Sequence, residues 1–568
     1  MSRVKRKQGQ KRRGFKKTIG LLLVVAGAGI TAVLLWGNPL HEKPQWQSDK
    51  PIFIQGKVTD YSAEGTGEDL MLPLSFIEEY VDDAVRYEAK TQSVIMATRE
   101  QVLYLSENKE NGELNGEAYA GEKTLAEINN EVYVPYESIE HIYGTEVQED
   151  TKTGAVMLMR AGESVTHGKV KLDDRGSSVA LRSRPSNYSP IVKDMAEGET
   201  VRLWGQENGW YYIQLDNGYT GYIQPANVIL NGTLKVKAQA ENLSASEKEW
   251  KGRAVNLAWE AVYSRNPDTS SMGTLPGVNV VSPTWFSIVS EEGTIEDKAD
   301  PGYVQWAHGR GMEVWGLLSN SFDPDLTSGA LSTYERRMQI IRKIITLSKQ
   351  YNLDGINIDF ENVYTEDGAN VTQFMRELKP LARANDLILS IDVTPKSDSE
   401  MWSVFLDRAS LGGITDYMMV MAYDEHWASS PEAGSVASLP WTESSVKRIM
   451  DEDGVPPEKL VLGIPLYTRV WSEEEKNGEM KVSSKAIGME SAADILKERK
   501  LKPKFLEQEK QNYVEYEVNG VLNKIWLEDG ASLKARVKLA QSLQLGGIGV
   551  WNRSFASDEA WDVLKTFK

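Results

Sequence analysis

Residues 353 to 361 run Leu-Asp-Gly-Ile-Asn-Ile-Asp-Phe-Glu, and this alternation restricts the segment to one local structure. As a strand, it sends Ile356, Ile358 and Phe360 to one side and Asn357, Asp359 and Glu361 to the other. Three polar side chains on one face of so apolar a strand are costly to bury without partners. The expectation is that they line a solvated active site; an ordinary half-buried strand is the alternative for the run taken in isolation.

The flanking sequence removes that isolation. Apolar strand candidates alternate with helical stretches over residues 252–568: Val255 to Trp259, Val278 to Val281, Glu313 to Leu318, Gly355 to Glu361, Leu387 to Val393, Tyr417 to Tyr423, Leu460 to Pro465 and Gly547 to Trp551. Before the fourth, Met338, Ile341 and Ile345 recur at helical spacing, and Ser332 with Glu335 reads as a capping box. Regular strand–helix alternation implies a parallel sheet, and this many repeats imply closure into an α/β fold, the (β/α)8 or TIM barrel. In that fold chemistry sits at the carboxyl ends of strands, where Asp359 and Glu361 fall. The charged segment 471–530, with a strand-like run from Tyr513 to Val518, reads as a small α+β insertion that deepens the cleft.

At 568 residues the chain is too long for one core. Residues 1–17 hold nine Lys or Arg and no acid, so the rest carries −27 against −18 for the whole, which excludes nucleic acid as a partner for the bulk of the protein. Ile19 to Trp36 is an uncharged apolar run that would rise about 27 Å as a helix, near the lower limit for a bilayer span. The expectation is a cytoplasmic basic segment (1–18), one transmembrane helix (19–36) and extracellular domains, held in the cell membrane by this single pass. A cleaved signal peptide is the competing reading, but Leu34-Leu35-Trp36-Gly37 lacks a small-x-small cleavage site. With no cysteine, the exterior part has no disulfides, which suits a Gram-positive surface.

After a polar spacer (37–51), an internal repeat spans 52–162. Leu72-Pro73-Leu74-Ser75-Phe76-Ile77-Glu78 recurs as Val134-Pro135-Tyr136-Glu137-Ser138-Ile139-Glu140, and the same offset pairs Lys90 with Lys152 and Thr91 with Thr153. Each copy reads as a short helix after the proline, then a hairpin turning at Lys-Thr, an α+β repeat unit. It resembles the N-terminal repeat domain of copper amine oxidases. No copper chemistry follows, because His141 is the only nearby histidine, and no metal or cofactor is implied anywhere. Residues 168–231 form short β-rich runs broken by turns. Ala180-Leu181-Arg182-Ser183-Arg184-Pro185-Ser186, Trp210-Tyr211-Tyr212-Ile213 and Asn217-Gly218-Tyr219-Thr220-Gly221-Tyr222 resemble the bacterial SH3 domain, which implies binding to wall peptide. Trp210 and Tyr222 themselves read as core aromatics. Residues 232–251 read as a linker.

The barrel carries a closer resemblance. Asp354-Gly-Ile-Asn357-Ile-Asp359-Phe-Glu361, Met421-Ala-Tyr423-Asp424 on the sixth strand, Gly463-Ile-Pro465-Leu-Tyr467-Thr-Arg469 on the seventh and Trp551 on the eighth are similar to the ordered motifs of family 18 glycoside hydrolases. The resemblance implies substrate-assisted, anomer-retaining hydrolysis, in which the substrate's acetamido oxygen attacks the anomeric carbon. By that resemblance Glu361 is the general acid, Asp359 holds the acetamido N–H, Tyr423 meets the acetamido carbonyl, and Asp424, Met421, Tyr467 and Arg469 line the sugar site over a Trp551 floor.

Asn357 stands where the family has aspartate. An amide there removes a like charge beside Asp359, so Asp359 is expected to ionise more readily and to depend on Glu361 for its proton. The Asn variant resembles the branch of spore-cortex and peptidoglycan-lytic N-acetylglucosaminidases, with peptidoglycan or a chitin-like glycan as substrate. A chitinase, or a non-catalytic wall-binding scaffold, are the other readings. Trp259, Trp285, Trp315 and Trp427 are candidate sugar platforms, and His426 either contacts sugar or packs structurally.

Overall fold

The computed structural model describes residues 40–107, 112–119, 124–173, 179–237, 247, 250, 253–476 and 479–568. The apolar run expected to cross the membrane lies outside them. Among the described residues no helix is long and apolar enough to span a bilayer. The chain divides into two compact units, one of residues 1–85 and 121–240, the other of 86–120 and 241–568.

In the first unit the two repeat copies meet as their sequence likeness suggests. Met71–Pro73 pairs antiparallel with Glu131–Pro135, Leu72 opposite Val134, so the matching prolines flank one ladder. Each strand runs into a short helix, Leu74–Tyr80 and Tyr136–Tyr143. The second copy then makes its hairpin, Glu146–Glu149 with Val156–Met159, turning through Lys152 and Thr153. Beside it lies a seven-stranded antiparallel sheet over 164–235, closed around Leu181, Val201, Ile213 and Ile223. Trp210 and Tyr222 are not in that core. Both are half-buried, and the Tyr222 hydroxyl donates to Glu207 at 2.6 Å while its ring lies 5.2 Å from Tyr212.

The first copy's hairpin, Arg86–Glu88 with Ser93–Ala97, belongs to the other unit, where it extends into a five-stranded sheet reaching Tyr119. Its Ile95, Val102 and Tyr104 join the hydrophobic core around the barrel helices. Tyr104 stacks on Tyr334 at 4.2 Å and donates to Glu335 at 2.8 Å. Glu88 enters a buried ion cluster: Arg337, fully buried, donates to Glu88 at 2.7 Å and to both oxygens of Glu377 at 2.7 and 2.9 Å.

The barrel strands are Val255–Glu260, Val280–Pro283, Glu313–Ser319, Gly355–Asp359, Ile388–Val393, Tyr417–Val420, Leu460–Pro465 and Gly547–Trp551. All pair in parallel, and the ring closes where Val280 meets Glu313 and Val255 meets Gly547. Two glycines make room for tryptophans inside the ring. A Cβ on Gly355 would stand 2.7 Å from the Trp315 ring, and one on Gly549 2.9 Å from Trp259. Trp315 and Trp259, like Trp285, are at most 1% exposed, so these three are core residues and not sugar platforms. Of the four candidates Trp427, 53% exposed, keeps a free face.

Two local readings are corrected. Helix Tyr334–Tyr351 is capped by Thr333, whose hydroxyl accepts from the Arg336 N–H; Ser332 instead ends the preceding helix and donates to the Gly329 carbonyl at 2.8 Å. Glu335 is thereby one position too early to close a capping box, and it bonds Tyr104 instead. The linker ends before 247. Glu247 and Trp250 are buried, and Trp250 sits edge-on to Trp315 at 5.5 Å with its N–H on the Glu313 carboxylate at 2.8 Å. An indole of that size gains more from the barrel interior than from solvent.

The expected insertion is present as a five-stranded antiparallel sheet from Tyr467 to Leu527 with helix Met489–Arg499 packed on it. It begins at the residue pair that follows the seventh barrel strand, which carries Tyr467 and Arg469 to the barrel mouth.

Candidate active site

Residues at the ends of six strands, the third to the eighth, make up the site. The alternation of the fourth strand holds: Ile356, Ile358 and Phe360 pack into the core beneath the helices, at most 1% exposed. Its polar face is not a solvated lining, however. Asn357 is 0% and Asp359 6% exposed, and only Glu361, past the strand end, is half-buried. Asp354, which opens the motif, points to the other end of the barrel, where its carboxylate accepts from the Val314 N–H at 2.8 Å and meets His308 at 2.8 Å. It is a structural tie.

Asn357 is buried because both ends of its amide are satisfied. Its Nδ2 donates to Asp392 Oδ2 at 2.8 Å, and its Oδ1 accepts from Ser390 Oγ at 2.6 Å. Asp392, 3% exposed on the fifth strand, is a residue the sequence reading missed; the signal was a lone carboxylate inside Ser390-Ile-Asp-Val. A second missed residue is Asn320, fully buried beyond the third strand. It accepts from the Glu361 N–H at 3.1 Å and donates to the Glu361 carbonyl at 2.8 Å, clamping the backbone that carries the acid.

Asp359, Glu361 and Asp392 form an acidic cluster, and among the described residues no cation is bonded to it. Burial pushes the Asp359 carboxyl up to about 7, only partly offset by its hydrogen bond with Glu361. Glu361 is held well above the usual carboxylate range by burial and then by the Asp359 charge. Asp392 is raised by burial and by Asp359. The expectation that Asp359 would ionise readily is therefore overturned. Burial is what raises Asp359, and a further buried carboxyl, Asp392, stands on the fifth strand bonded to Asn357.

Tyr423, half-buried just past the sixth strand, has its phenol raised by burial and by Asp392. Asp424 follows with φ +61°, a left-handed backbone that turns its carboxylate out of the strand line. Its Oδ1 accepts from the Tyr467 hydroxyl at 2.7 Å and from Arg469 at 3.0 Å. The Tyr467 ring meets Tyr423 edge-on at 6.4 Å. Met421 is 8% exposed, and its N–H donates to the Val393 carbonyl at 2.9 Å, tying the sixth strand end to the fifth. Trp551 is half-buried at the end of the eighth strand, 6.2 Å from Trp259. His426 packs structurally: its Nδ1 bonds the Ser435 carbonyl at 2.8 Å and its ring fills the space a Cβ on Gly434 would need. The arrangement offers a carboxyl whose proton is held more tightly than usual at the barrel mouth, with a second carboxyl and a phenol behind it, which is the equipment of acid-assisted cleavage of a glycosidic bond.

Comparison with known proteins agrees with this geometry. Residues 322–556 match glycosyl hydrolases family 18, residues 177–229 the bacterial SH3 domain and residues 53–158 the copper amine oxidase N-terminal domain. The chain is 27% identical over 332 residues to the uncharacterized glycosylase YvbX of Bacillus subtilis (strain 168), covering 56% of this chain and 93% of that one. It is 25% identical over 259 residues to the cortical fragment-lytic enzyme of Bacillus anthracis, covering 44% of this chain and 58% of that enzyme, so it spans little more than half of that relative. The crystal structure of the Bacillus megaterium QM B1551 spore cortex-lytic enzyme SleL superposes with a TM-score of 0.51 at 16% identity, over 73% of this chain and 89% of that one, a likeness of fold. The chain is a glycoside hydrolase whose C-terminal barrel carries the match to glycosyl hydrolases family 18, behind matches to the copper amine oxidase N-terminal domain and the bacterial SH3 domain.

Proposed function

We propose that the protein is a membrane-anchored extracellular hydrolase that cuts β-linked N-acetylglucosamine bonds of peptidoglycan with retention of configuration. The observation that carries this reading is the placement of Glu361 at the mouth of the barrel, its backbone clamped by Asn320, with Asp359 buried two residues before it on the same strand face. Glu361 protonates the leaving glycosidic oxygen while the substrate's acetamido oxygen attacks the anomeric carbon, and the Glu361 carboxylate then activates the water that opens the intermediate. Asp359 accepts the acetamido N–H, and Tyr423 donates its hydroxyl to the acetamido oxygen. Asp424, held by Tyr467 and Arg469, binds sugar hydroxyls above the Trp551 ring, with Met421 behind it.

Peptidoglycan is favoured over chitin by the similarity to a cortical fragment-lytic enzyme and by the SH3 domain, which would hold wall peptide. The basic segment followed by the apolar run at 19–36 supports an anchor with a cytoplasmic N-terminus. The test is to incubate full-length protein and Glu361→Gln with purified peptidoglycan and with chitin oligomers, and to identify new reducing ends by mass spectrometry. New N-acetylglucosamine ends from peptidoglycan with the wild type alone are expected. Release from chitin oligomers only would make it a chitinase, and wall binding without release would make it a scaffold.

A further inference from the structure

The carboxylate that the fourth strand lacks has been moved to the fifth, and its surroundings say what it does there. The register that pairs Asn357 with Ser390 and Ile358 with Ile391 sets Asp359 level with Asp392. Because Asn357 Oδ1 takes the Ser390 hydroxyl proton, its Nδ2 faces Asp392 Oδ2 as a donor, and that oxygen is occupied as an acceptor. The remaining oxygen, Asp392 Oδ1, is buried with no hydrogen-bond partner, and so is Asp359 Oδ1. Two buried carboxyl oxygens left this way are expensive, and like charges at level positions on paired strands in a buried site oppose each other's ionisation. A single proton held by the pair relieves both costs. The groups acting most strongly on Asp392 are Asp359 and Glu361 from the fourth strand, Asn357 beside it and the Trp259 indole from the first, with Tyr423 facing the cluster from beyond the sixth; none is a cation.

We propose that Asp392 is the proton partner of Asp359. The pair holds one proton; it leaves Asp359 for Asp392 Oδ1 as Asp359 accepts the N–H of the substrate's acetamido group, and it returns when product departs. One O–H bond breaks, one forms, and the pair keeps a single negative charge throughout. Asp392 is a positioning residue, since it acts on the sugar only through Asp359, and Asn357 is the donor that leaves Oδ1 as the oxygen to be protonated. This rests on the reading in which Asp359 engages the acetamido group. It also makes the two arrangements exclusive: an aspartate at 357 would crowd a third carboxylate against Asp392, so a carboxylate belongs at one position or the other.

That exclusivity supplies the test. With full-length enzyme and whichever glycan the wild type cleaves, Asp392→Asn is expected to lower kcat about 100-fold, with the acid limb of the kcat–pH profile displaced and KM changed less than about threefold. Asn357→Asp combined with Asp392→Asn returns the carboxyl to the fourth strand and is expected to recover at least about tenfold of that loss. An unchanged pH profile in Asp392→Asn, or a folded double variant no faster than the single one, would overturn the proposal. Titration of the wild-type carboxyl carbons by 13C NMR needs no variant to fold and no substrate. Asp359 and Asp392 should titrate jointly, whereas an independent Asp359 transition in the ordinary carboxylate range would refute the pair. A joint titration in an enzyme inactive on both glycans would support the pair and count against the substrate reading alone.

Discussion

At the scale of single residues, the acidic cluster sets both pH behaviour and binding. Asp359 is raised to about 7 in the folded protein against about 3.9 for an unperturbed aspartate. Below about pH 4 the group is protonated in both folded and unfolded chains. Between about 4 and 7 the unfolded chain ionises while the folded one resists, so stability is lost as pH rises through that window. Asp359→Asn, neutral at every pH, should therefore raise the melting temperature at pH 7.5 and leave it nearly unchanged at pH 4, as calorimetry would read; a variant less stable at both would contradict the sign. At the cleft rim, Tyr467→Phe removes one hydroxyl donor from the Asp424 carboxylate. A hydrogen bond to a charged group contributes about 1.5–3 kcal/mol. The variant should lose about tenfold or more in kcat/KM with its melting temperature within a few degrees of wild type.

At the scale of elements, the hairpin contributed by the first repeat copy is held to the barrel by Glu88. Its carboxylate accepts from Arg337 at 2.7 Å and from the Tyr334 N–H at 2.9 Å, at the start of the helix that leads into the catalytic strand. Breaking a buried ion pair from one side typically costs about 3–5 kcal/mol, because the partner is left charged and desolvated. Arg337→Met should lower the unfolding free energy read by urea denaturation by about that amount, since it removes the guanidinium shared by the buried Glu88 and Glu377. Glu88→Gln should cost less, because Glu377 still neutralises Arg337 at two contacts. Equal losses in the two variants would show that the hairpin, not the Arg337–Glu377 pair, dominates.

At the scale of the whole molecule, the seven-stranded SH3 sheet and the inserted sheet have cores of their own, and the barrel core takes in the hairpin of the first repeat copy. Among the described residues the acidic cluster lies in the barrel, and under the proposed function the modules ahead of it set where hydrolysis happens. Removing residues 1–36 should shift the protein from the membrane to the soluble fraction on cell fractionation while leaving kcat on soluble glycan within about twofold. Retention in the membrane fraction would place the anchor elsewhere.

Much of this molecule was legible in the order of its residues, for reasons that are local. A two-residue period sorts the fourth strand into a core face and a polar face whatever surrounds it, and repeated strand–helix alternation leaves few alternatives to a closed parallel sheet. The proline-anchored repeat and its Lys-Thr hairpin turns were readable on the same terms. The tertiary structure alone decided which chemistry-bearing side chains share space. Trp259, Trp285 and Trp315 are core because glycines and apolar faces from distant strands enclose them, and Trp427 is not. Trp250 leaves the linker because the barrel interior offers it Trp315 and Glu313. Asn357, in isolation, argues for an easily ionised Asp359. The opposite holds because the folded barrel buries Asp359, and a carboxyl's proton affinity follows a burial that distant strands create and no local run of residues announces.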